Sequence, residues 1–100
     1  SEKSHKKDLQ LSVELISARV LAASGRPGSA CQNLQRTLSD AKRLGYLGYD
    51  LETHLALGEI KLKFLHSNSG RTELQAAARD ATDHGFNRIA NRAILVLKWR

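Results

Sequence analysis

Asp40-Ala41-Lys42-Arg43-Leu44-Gly45-Tyr46 and Asp80-Ala81-Thr82-Asp83-His84-Gly85-Phe86 are two versions of one phrase, forty residues apart. Each reads as the end of a helix, a glycine that stops it, and an aromatic side chain that plugs the joint to the next helix. Sliding the chain by the same forty residues aligns more than the phrase. Leu11 falls on Leu51, Leu15 on Leu55, Ala18 on Gly58, Ala30 on Gly70 and Leu34 on Leu74. A repeat of helix, turn, helix, glycine and aromatic explains all of these matches. Small residues twelve apart, one on each helix, let two backbones approach closely.

Punctuation elsewhere agrees with that unit. After a polar tail at 1–7, an amphipathic stretch covers residues 8–24 and meets Gly25-Arg26-Pro27-Gly28. Ser29 with Gln32 has the pattern of a capping box and opens a second helix that lasts to Gly45. Asp50 is placed to cap a third helix, Ser67-Asn68-Ser69-Gly70 reads as a turn, and a fourth helix stops at Gly85. A fifth begins near Phe86 and runs to the end. No stretch alternates with period two for long enough to form a strand. The expectation is an all-α domain of about five helices in antiparallel hairpins, with units at about 8–47 and 48–86 and a terminal helix at 86–100.

Composition narrows the function. One hundred residues, 41% of them hydrophobic, allow one small core and argue against a disordered chain. The longest apolar run is Ala93 to Leu97, too short to span a bilayer or to act as a secretory leader. A lone Cys31 forms no internal disulfide, so a reducing, cytoplasmic setting is expected. The net charge of +6 is unevenly spread: residues 84–100 hold Arg88, Arg92, Lys98 and Arg100 with no acid. The body of the chain, residues 9–83, is nearly neutral, with nine basic and eight acidic side chains.

Catalytic patterns do not emerge. The histidines at 5, 54, 66 and 84 form no pair at helical spacing, and Asp80 with His84 reads as an exposed ion pair near a helix end. Cys31 beside the apolar stripe reads as a structural thiol. The loop at residues 25–28 follows a helix and lacks the lysine of a phosphate cradle. A non-catalytic module with no cofactor or metal is expected.

The fifth helix carries most of the functional signal. Phe86, Ile89, Ala90, Ala93, Ile94, Val96 and Leu97 make one wide face, expected to pack on the third and fourth helices. Leu95 and Trp99 lie away from that face, among Arg88, Asn91 and Arg92, and suit a contact with a partner. The helix reads equally as a cap or as the first half of an incomplete unit. Weak nucleic-acid binding through its four cations is the competing reading, with Asn87 and Asn91 as the available base readers.

With small Ala18 and Ala30 followed by Leu34, and Gly58 and Gly70 followed by Leu74, the repeat resembles the tetratricopeptide family. Gly25 also falls at that family's inter-helix turn. The chain looks like a divergent member, with a period near forty, no closing proline and no early aromatics. It is also similar to helical-repeat segments at the C-terminal end of bacterial multidomain signalling proteins. The resemblance implies a right-handed solenoid fragment that binds a protein or peptide segment, or a second copy of itself, along a concave face. Carried over by position, that face holds Ser12, Leu15 and Arg19 in the first unit and Glu52, Glu59 and Lys63 in the second, a groove of mixed charge.

Overall fold

The computed structural model describes residues 2–98, and their side chains from Leu9 onward. Every regular element among them is a helix: α1 (Glu2–Ala23), α2 (Pro27–Leu44), α3 (Leu47–Lys63), α4 (Asn68–Asp83) and α5 (Asn87–Leu97). Each helix packs on its neighbours in the chain, and α3 also touches α1 and α5. The odd-numbered helices therefore share one side of a slab measuring 42 × 32 × 18 Å. No helix among the described residues is long and apolar enough to cross a membrane.

The repeated phrase has the same geometry in both copies. Gly45 and Gly85 adopt φ of 75° and 79°, a conformation that costs glycine little. The next amide reaches back five residues in each case, Tyr46 N–H to the Ala41 carbonyl at 2.9 Å and Phe86 N–H to the Ala81 carbonyl at 2.8 Å. This closes the exposed carbonyls of the helix end and redirects the chain into the next helix. Phe86 then lies over Gly48, as expected of a joint plug.

Hydrophobic burial divides into two clusters. Leu15, Ala18, Ala22, Ala30, Cys31 and Leu34 pack with Ala56, Leu57 and Ile60 of α3. Leu51, Leu55, Leu74 and Ala81 pack with Ile89, Ala90, Ala93 and Val96 of α5. Helix α3 serves both, which explains why it is buried on most of its surface between Leu51 and Ile60. At the crossing of α3 and α4, a β-carbon on Gly70 would lie 2.7 Å from the Leu62 amide nitrogen and 2.8 Å from the Gly58 carbonyl oxygen. A β-carbon on Gly58 would lie 2.8 Å from Leu74 Cγ. Neither glycine has room for a methyl group.

Several helix starts differ from expectation. α2 begins at Pro27, because a proline at the first helical position needs no amide partner, so Ser29 lies inside the first turn and caps nothing. α3 begins at Leu47, which places Asp50 within the first turn, where its charge favours the helix N-terminus. α1 begins at Glu2, so most of the stretch read as a tail is helical. Ser67 does cap α4, its hydroxyl accepting from the Ser69 amide. Ile94 is 45% exposed instead of buried: its register equivalents, Glu14 and His54, are also partly exposed, and α5 packs only on α3 and α4.

Candidate functional site

The shared side of α1, α3 and α5 is concave. Ser12, Leu15, Ile16 and Arg19 from α1, Glu52 and Leu55 from α3, and Arg88 and Arg92 from α5 line a groove of about 490 Å³. At its deep side lies Glu59, 4% exposed. Its carboxylate accepts from Arg92 Nε at 3.0 Å and Arg92 Nη2 at 3.3 Å, and from Arg19 Nη1 at 3.2 Å. One carboxylate therefore ties three helices together.

That arrangement follows from the repeat. Arg19 and Glu59 occupy the same register in successive units, so they meet side by side on the concave surface with opposite charge. Ser12, Glu52 and Arg92 are a second register row. Burial by itself would push the Glu59 carboxyl up, but the Arg92 hydrogen bonds and the Arg19 and Arg92 charges outweigh it. The carboxyl is held below the ordinary range, and the Arg92 guanidinium is pushed up in return. Nearer the rim, Arg88 pairs with Glu52. Three guanidinia face two carboxylates, which leaves the groove with one positive charge in excess and all three arginines partly open to solvent.

A second hollow of about 280 Å³ continues from this groove, sharing Ser12, Glu52 and Arg88 and adding Gly48, Tyr49, Phe86 and Ile89. The Tyr49 hydroxyl meets Ser12 Oγ at 2.9 Å, which fixes the ring against α1. The site thus has a charged part and an aromatic part.

Of the residues singled out from sequence, Ser12, Leu15, Arg19, Glu52 and Glu59 come together with Arg88 and Arg92. Sequence pattern groups the two arginines with Leu95 and Trp99 as a separate surface. They instead turn into the groove, because Glu52 and Glu59 stand opposite them across α3. Leu95 is 62% exposed and does not line the groove, and Trp99 lies outside the described residues. Lys63 ends α3 and lies beyond the groove, which is centred nearer the start and middle of that helix. Sequence reasoning misses the aromatic hollow as a site. Its signal is Phe86 over Gly48, one joint aromatic above one small residue.

Two smaller expectations also resolve. His84 Nδ1 lies 2.9 Å from the Asp80 backbone carbonyl, so the ring closes the helix end instead of pairing with the Asp80 side chain. Cys31 is buried, and that burial pushes its thiol up, which fits a structural role.

No family model, curated protein or solved structure matches the chain.

Proposed function

We propose that this chain is a tetratricopeptide-like interaction module of a larger regulatory protein, a binding domain without catalysis. Its concave groove takes an extended protein segment bearing a carboxylate followed or preceded by an apolar side chain. The observation that supports this reading most is the excess of guanidinium over carboxylate in the groove, beside the hollow of Tyr49 and Phe86. Arginine forks accept planar carboxylates in two-point contact, and an aromatic-lined hollow takes an apolar side chain with little reorganisation. Arg19, Arg88 and Arg92 repel an incoming segment with a lysine at that point and so add selectivity.

Nucleic acid is the weaker reading. Arg88 and Arg92, half of the cations that prompted it, each stand beside a carboxylate, so the groove offers one positive charge in excess, which suits a single carboxylate and not a run of phosphates. The remaining charge is too sparse to follow a phosphate backbone.

The test is a titration of fluorescent ten-residue peptides carrying an Asp or Glu next to Phe or Leu, against lysine-substituted controls and a duplex oligonucleotide. The acidic peptides are expected to bind at physiological salt and to lose about tenfold in affinity with Arg88→Ala. Equal binding of the lysine controls, or tighter binding of the oligonucleotide that collapses with salt, contradicts the reading.

A further inference from the structure

Helix α1 is apolar on two faces. Leu11, Leu15, Ala18 and Ala22 are buried against the rest of the domain. Leu9, Val13, Ile16 and Val20 form a second stripe and are 61%, 53%, 63% and 60% exposed. Their spacing of four, three and four residues keeps them on one line along the helix.

The repeat shows what kind of face this is. Forty residues on, the equivalent positions are Tyr49, Thr53, Ala56 and Ile60; eighty on, they include Ile89, Ala93 and Val96. In α3, Ala56 and Ile60 are buried against the first hairpin, with Tyr49 packed on the same cluster. In α5, Ile89, Ala93 and Val96 are buried against the second. By register, then, this stripe is the face on which an odd-numbered helix receives another helix. On α1 it is covered by nothing among the described residues and is lined with larger apolar side chains than its covered equivalents in α5.

We infer that this stripe pairs with the same stripe of a second copy of the chain. Three observations favour a copy of itself. The spacing is that of a two-helix seam, with Val13 and Val20 at one of its two positions and Leu9 and Ile16 at the other, and such a seam is self-complementary about a two-fold axis. The only charged side chains between Leu9 and Val20, Glu14 and Arg19, already have partners: Glu14 meets Thr37 and Gln10, and Arg19 meets Glu59. Neither charge belongs to the stripe itself, so a twin seam brings apolar side chains together along its line. Finally, four side chains more than half exposed offer on the order of 400 Å² per copy, or about 800 Å² across the pair. That is below the ~1,600 Å² of a standard interface and suits a weak, reversible dimer. The seam runs along the edge of α1 and shares Ile16 with the rim of the groove, but the pairing does not rest on the groove reading.

Sedimentation velocity on the whole chain, from low to high micromolar, tests the inference alongside Val13→Glu/Val20→Glu and Leu95→Glu. Neither valine lines the groove, and both are exposed, so the double variant is expected to keep its helical circular dichroism and its binding of acidic peptides. The unaltered chain and Leu95→Glu are expected to reach the dimer mass, while the double variant weakens self-association by about a hundredfold. A monomer at every concentration overturns the inference and assigns the stripe to a helix of another kind. Growth beyond the dimer, or a dimer that survives in the double variant, overturns it as well.

Discussion

The two hairpins make the same crossing with different residues. In the first, α1 and α2 meet at Ala18 and Ala30, and both methyl groups fit in the buried interface. In the second, α3 and α4 meet at Gly58 and Gly70, and neither position has room for a β-carbon. The residue after the tight crossing is Glu59, the carboxylate that joins α1 and α5 through their arginines. The residue after the looser crossing is Arg19, one of its partners. The looser hairpin supplies a half-exposed cation, and the tighter one supplies the buried anion at the centre of the groove. The same helical unit carries glycines at its crossing where it holds a buried charge and alanines where it does not.

Exchanging the crossing residues breaks this comparison with the largest effect. Gly70→Ala places a methyl group against backbone on two sides and is expected to cost about 3 kcal/mol in urea unfolding. Ala30→Gly at the equivalent place in the first hairpin removes a contact without a clash and costs about 1 kcal/mol. Similar losses for the two would show that the crossings are not different in kind.

Glu59→Gln removes the central charge and is expected to cost ~1–2 kcal/mol, reduced because both arginines are half exposed. The sign with pH comes from the direction of the shift. The folded carboxyl lies below its ordinary value, so its stabilisation is fully present above that value and is lost as pH falls through the folded one. Urea midpoints of the two proteins should therefore differ at neutral pH and converge under strong acid. A gap that is constant with pH contradicts the role of the charge.

The turns differ too. The first hairpin turns at Gly25 with φ of 94°, while the second uses His66 at φ of 52°, where a side chain is strained. His66→Gly is expected to raise stability by ~0.5–1 kcal/mol. A loss in thermal unfolding would mean that the histidine side chain contributes more than its backbone strain costs.

Much of this comparison is legible in the sequence because it rests on small residues and repeats. Gly58 and Gly70, aligned with Ala18 and Ala30, mark the crossings, and the paired phrases at residues 40–46 and 80–86 mark the joints. Arg19 and Glu59 fall on one face for the same reason. Helix starts are harder to read, since Pro27 and the joint at Tyr46 fix them through backbone geometry and not through a capping side chain. The grouping of Arg88 and Arg92 with Leu95 fails because single-helix periodicity shows which residues share a face, not which carboxylates stand opposite. The exposed stripe of Leu9, Val13, Ile16 and Val20 escapes a reading that gives α1 a single apolar face.

The central claim is that one carboxylate, shared by arginines from two other helices, fixes the concave side. A double-mutant cycle with Arg19→Met and Arg92→Met, followed by urea unfolding at neutral pH, tests it most directly. Either change alone leaves Glu59 one cation, whereas both together leave a buried charge without a partner. The double loss is expected to exceed the sum of the single losses by ~1–2 kcal/mol. Additivity within ~0.5 kcal/mol would show that the two arginines act separately and that Glu59 does not hold the groove together.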